Sequence, residues 1–222
     1  MFRSSVFAVV AVALAVPAVA REFSDTDRRF KLVAPDGWTT EGPAPQPIAL
    51  VIASPRKPET RGNCNVAVNP AGMSGKSQAQ VNDEADAALN NEAFWKATLA
   101  SVSFFKSSTI EKWGAREHEG RKIFFVKATS QAEASGQAFT ITQVMDLHPT
   151  PDTIFGVTCT SLAAAFDREA ADFEAIMTSF EPSPGLTVAF RAMPFNPLAA
   201  RNSAARAGHV TAVTGALRVI GR

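Results

Sequence analysis

Between residues 29 and 182 the apolar positions follow two rhythms. Phe30 and Leu32 alternate with Arg29, Lys31 and Val33, which predicts a strand over 29–33. Pro35-Asp36-Gly37-Trp38 then supplies turn chemistry, since proline fixes φ and glycine accepts a positive one. Residues 48–53 form a second apolar strand, fenced by Pro45, Pro47 and Pro55, and residues 64–68 a third, with Cys64, Val66 and Val68 on one face. Over 77–99 the period becomes helical: Ala79, Val81, Ala85, Ala88 and Leu89 recur every three or four residues, and Asn90-Asn91 marks a break before Phe94, Trp95 and Leu99. Alternation returns over 107–113, 121–130 and 137–147, with Ser135-Gly136 as a turn, and reads as an antiparallel meander. Residues 153–160 add a strand with Phe155, Val157 and Cys159 on one side. The last element is a helix over 166–180, whose Phe166, Ala170, Phe173, Ile176, Met177 and Phe180 form one stripe. Asp167, Glu169, Asp172 and Glu174 are expected to face solvent, and Glu181-Pro182 to end the helix.

The two ends are of different texture. Met1-Phe2-Arg3 is followed by an unbroken apolar run from Val6 to Val16, too short to span a bilayer, and then by Ala18-Val19-Ala20. A basic start, an apolar centre and a small-x-small end predict a cleavable signal peptide over 1–20, cut before Arg21, and hence a periplasmic or secreted protein. From Pro182 onward come four prolines within 182–197 and then an Ala/Arg/Gly-rich stretch that cannot build a core. Leu186, Val188 and Phe190 alternate as an edge strand would, while most of 192–222 is expected to be disordered. The 222-residue total of +1 hides an asymmetry: residues 21–182 hold 16 Lys and Arg against all 21 acids, whereas 183–222 carry Arg191, Arg201, Arg206, Arg218 and Arg222 and no acid. The expected domains are a signal peptide at 1–20, a folded body at 21–182 and a basic tail at 183–222.

The order of elements, with Pro35-Asp36-Gly37-Trp38 after the leading strand and Ile176-x-x-Ser179-Phe180 in the closing helix, resembles the PsbP-like superfamily over residues 28–181. The resemblance implies an α+β fold, an antiparallel sheet sandwiched by helices (α/β/α), and a binding or accessory role without a shared enzyme site. The Ran-binding surface of one branch of that superfamily matches no residue pattern here.

Candidate chemistry is sparse. Pro70-Ala71-Gly72-Met73-Ser74-Gly75-Lys76-Ser77 imitates a phosphate-binding loop, but the first position needs glycine so that backbone N–H groups can cradle phosphate, and Pro70 stands there. It reads as a Gly/Ser loop leading to a helix N-cap. Glu117-His118-Glu119 ends in Gly120 and reads as a solvated hairpin loop; adjacent residues of an extended chain point to opposite faces. His148, before Pro149-Thr150-Pro151, reads as a turn residue, and His209 lies in the tail. Cys64 and Cys159 are the only cysteines, and in an oxidising compartment an even number is normally paired. Their bond would close a loop of about 95 residues; two separate buried thiols are the alternative. The five tail arginines suit weak contact with an anionic membrane surface, or a solvated extension. Nothing in the sequence demands a cofactor or a metal, and export leaves nucleic acid out as a partner. The leading expectation is an exported, non-enzymatic binding or accessory protein of the bacterial envelope, its partner an unknown envelope protein or small ligand. The alternatives are a hydrolase-like periplasmic enzyme assembled from Glu117, His118 and His148, and a protein tethered by its tail.

Overall fold

The computed structural model describes residues 20–25, 27 and 29–183. The signal peptide through residue 19, the strand expected at 186–190, His209 and the five tail arginines lie outside the described residues.

Among the described residues, ten strands and four α-helices build an α+β sandwich. In chain order they are β1 (Arg21–Ser24), β2 (Phe30–Ala34), β3 (Thr39–Thr40), β4 (Ile48–Ala53), α1 (Lys57–Thr60), β5 (Asn63–Pro70), α2 (Gln78–Leu89), α3 (Glu92–Ala100), β6 (Phe105–His118), β7 (Arg121–Ala134), β8 (Gln137–Pro149), β9 (Thr153–Leu162), α4 (Phe166–Thr178) and β10 (Glu181–Pro182). A seven-stranded sheet runs in the order β3-β4-β5-β9-β8-β7-β6, and β1-β2-β10 make a small second sheet. The pairings are antiparallel.

Local chemistry fixes the joints. Glu119-Gly120 and Ser135-Gly136 both carry positive φ at two successive residues, the turn whose twist matches that of a two-residue hairpin. Ser77 caps α2 by accepting from the Gln80 amide while the Gln80 side chain accepts from the Ser77 amide, a reciprocal box that satisfies two otherwise free donors. Asn91 caps α3 through Phe94 N–H, so the Asn90-Asn91 break is a real change of helix.

Each face of the large sheet has its own core. On one, Cys64, Val66, Val68, Phe155, Val157 and Cys159 pack under α4 and the small sheet, with Phe30, Leu32, Trp38, Phe173, Ile176 and Phe180. On the other, Ala67, Phe124, Val126, Ala128, Met145, Leu147 and Ile154 pack under α2 and α3, through Val81, Ala85, Leu89, Trp95 and Leu99. Cys64 and Cys159 are register partners, with Cα atoms 4.0 Å apart, and form a disulfide. The outermost strand, β6, is fourteen residues long; two bulges and the charges of Lys106, Glu111, Lys112 and Arg116 roughen its free edge, and Trp113 stands out at 38% exposure.

Two expectations are corrected. Glu169 does not face solvent: it is fully buried, and Asp172 is half-buried beside it. His148 is no turn residue either, because β8 continues through Pro149 and buries it to 3% exposure. Strands β1, β3 and β10 and helix α1 are too short, at two to four residues, to leave a periodic signature.

Candidate functional site

The residues singled out by sequence divide between two faces. Glu117 and His118 sit at the exposed end of β6, and Glu119 takes a positive φ in the turn that follows. By the pleat of the strand, His118 shares the α4 face with Arg116, and Glu117 points to the opposite one. His148 lies on that α4 face as well. Its ring packs 4.6 Å from the Phe180 ring, its Nε2 is 4.0 Å from Asp146 Oδ2, and Nε2 has no hydrogen-bond partner within the protein. Burial, and then the charges of Arg116, Arg121 and His118, push the imidazole down to about 3. His148 is therefore neutral at neutral pH, and Glu117 points away from the face that His118 and His148 share, so the three side chains do not converge. Asp146 is held by Arg116 through both guanidinium nitrogens, and burial pushes its carboxyl up against that pull. Arg116 also lies 5.6 Å over the Phe125 ring.

A second charged cluster anchors α4. Glu169 accepts from Ser54 Oγ at 3.0 Å, Thr60 Oγ1 at 2.6 Å and Arg56 Nη2 at 2.9 Å, and Arg56 Nη2 also reaches Asp172, which takes the Trp38 indole N–H at 3.1 Å. Gly62 approaches so closely that a Cβ there would stand 2.8 Å from the Glu169 carboxyl carbon. Both carboxylates accept several donors, from four different residues in all, which is the pattern of a structural clasp, although Arg56 Nε is buried without a partner.

The unusual chemistry is on the other face. Gln143 pairs in register with Thr160, and Thr160 with Asn63; one row along, Thr158 pairs with Asn65. Alternation places all five side chains on the α2–α3 face, in line with Met145, Leu147, Ala67 and Ile154. They are buried, Gln143 and Thr158 to 0% exposure. Gln143 Nε2 and Oε1, Thr158 Oγ1 and Thr160 Oγ1 have no hydrogen-bond partner within the protein. Four such atoms on three adjacent residues are far from the ordinary pattern, in which buried polar groups are paired. The Trp95 indole N–H is buried and unpaired too, and Trp95 belongs to the cluster that contains Ala128 and Met145, the cross-strand and same-face neighbours of Gln143. Helix α2 packs over β7 and β8 and α3 over β6. Towards β4 the floor is less enclosed, for Val51, register partner of Asn65, is half-exposed. At the β8 end the exposed Arg61 holds its guanidinium 5.0 Å over the half-buried Phe139 ring. None of the five floor residues titrates, so what they offer is hydrogen bonding without acid, base or nucleophile.

No family model and no curated protein matches this sequence. Among solved structures, the solution structure of cyanobacterial PsbP (CyanoP) from Synechocystis sp. PCC 6803 superposes with a TM-score of 0.54 at 13% identity, covering 79% of this chain and 99% of that one. The fold is PsbP-like. LpqN of Mycobacterium tuberculosis, a protein involved in cell envelope biogenesis, gives a TM-score of 0.44 at 12% identity over 78% of this chain and 89% of its own. In the PsbP-like frame of this chain, the loop of residues 70–77 serves to start α2, with Ser77 as its cap.

Proposed function

We propose that this PsbP-like protein is an exported, non-enzymatic binding or accessory protein of the bacterial cell envelope, and that it holds a ligand on the polar floor of Gln143, Thr158 and Thr160. The observation that carries the reading is the set of four buried, unpaired hydrogen-bonding atoms on those residues. Each such atom costs on the order of 1–3 kcal/mol when left unpaired, so a fold that keeps four together retains a liability that bound polar groups would relieve. A binding role fits the neutral character of the floor, which has hydrogen bonds to give and no reacting group. The disulfide and the signal-like first twenty residues support export.

The test is native mass spectrometry of the chain isolated from its own envelope, beside a Gln143→Leu/Thr160→Val variant isolated in the same way. A small molecule bound to the wild type and lost from the folded variant supports the reading. A wild type that carries nothing, or a molecule that the variant keeps, overturns it.

A further inference from the structure

Resting on that reading, we infer that the ligand is an uncharged, hydroxyl- and amide-bearing molecule with the span of one sugar ring. The charge follows from what surrounds the floor. Asn63, Asn65, Gln143, Thr158 and Thr160 contribute no countercharge, and Arg61 stays exposed at the rim, its guanidinium engaged with Phe139. An ion taken into such a place loses its hydration and gains no partner of opposite sign, whereas a neutral group loses only hydrogen bonds that the floor returns.

The type of group follows from the donors and acceptors. Gln143 presents an amide N–H donor and a carbonyl acceptor side by side, and each threonine hydroxyl can act in either sense. A surface that both gives and takes at every point matches a ligand whose own groups do the same, as hydroxyls and amides do; a ligand of acceptors alone would leave the carbonyl of Gln143 unmet. The size follows from the register. Thr160 and Gln143 face each other across neighbouring strands, about 5 Å apart, and Thr158 lies one row away, roughly 7 Å along the strand. Those four atoms therefore fit one ring with its substituents rather than an extended chain. Trp95, in the same buried cluster as Ala128 and Met145, carries one more buried N–H without a partner.

The experiment is a 1H–15N NMR titration of the mature protein with N-acetylglucosamine, which is neutral and carries both hydroxyls and an amide. The same ring with a charge, as glucosamine or glucuronic acid, is titrated in parallel. The expected result is saturable movement of the Gln143 side-chain amide, the Thr158 and Thr160 backbone amides and the Trp95 indole, at least about ten-fold weaker with either charged sugar, and abolished in Gln143→Leu with the rest of the spectrum unchanged. Thr160→Val provides the second variant should Gln143→Leu lose the native spectrum. Equal or stronger response to a charged sugar, response away from the floor, or no response overturns the inference. A charged molecule found on the floor by native mass spectrometry would sink this inference and leave the binding function standing; a floor that binds nothing in either experiment removes both.

Discussion

Thr158→Val and Thr160→Val provide the most direct measure of whether the floor is maintained against stability. Valine has nearly the shape of threonine, so each change removes a hydroxyl and leaves no cavity. Both hydroxyls are buried and find no partner within the protein, and both residues lie in the centre of β9, where a β-branched apolar side chain is well suited. A buried hydroxyl without a partner costs on the order of 1–3 kcal/mol, so removing one returns about 1 kcal/mol at the low end and the pair about 2. For a domain of this size that corresponds to a rise in melting temperature of roughly 4 to 8 °C for the double variant. The assay is urea and thermal unfolding followed by circular dichroism, on protein first unfolded in urea and refolded with its disulfide intact, so that any carried ligand is removed and cannot inflate the wild-type value. Ser179→Ala serves as the opposite control. Its Oγ takes the Val33 N–H at 2.8 Å and reaches the carbonyls of Val33 and Ile176, so that variant should lose about 1–2 kcal/mol. If the valine variants lost more than about 1 kcal/mol, the hydroxyls would be structural and the reasoning that makes the floor a binding surface would fail.

Three other outcomes are expected. Cys64→Ala/Cys159→Ala opens a loop closed across a sequence separation of 95 and should lower stability by about 4–5 kcal/mol on the chain-entropy model, read as a fall in the urea midpoint; an unchanged midpoint would refute it. His148, pushed down to about 3 against an unfolded value of 6.5, is neutral in the folded protein over a range where the unfolded chain binds a proton. Its contribution is therefore fully present above about pH 6.5 and declines by about 1.4 kcal/mol per pH unit below it, and His148→Phe should flatten that acid limb of the stability curve. Gly62→Ala drives a methyl into the Glu169 carboxylate and Ser54, at 2.8 and 3.0 Å, and should cost about 1–3 kcal/mol by forcing the clasp apart; a variant as stable as the wild type would show that the clasp yields freely.

How much of this was legible in the sequence depends on which force sets each feature. Period-two spacing put Cys64, Val66 and Val68 on one face and Phe155, Val157 and Cys159 on one face, and pairing of β5 with β9 makes those the same face. The stripe of α4 and the turn at Ser135-Gly136 were equally plain, because both are written in neighbouring residues. Glu169 misled because its charge outweighed its position: three residues after Phe166 and four before Phe173, it falls on the buried stripe, and the spacing was the better guide. His148 misled because Pro149 suggests an end to the strand, yet β8 pairs through Pro149 with Ile154. The floor was illegible for a deeper reason. Gln143 stands next to Thr142, and Thr160 next to Ser161, so local polarity at the ends of these runs reads as solvated strand, and strand periodicity states only which face a residue takes. What covers that face is decided by α2 and α3, elements more than forty residues away from Gln143 in the chain. Local polarity and tertiary burial disagree at those three residues, and the places where the two levels of a fold conflict are where a sequence has kept something other than stability.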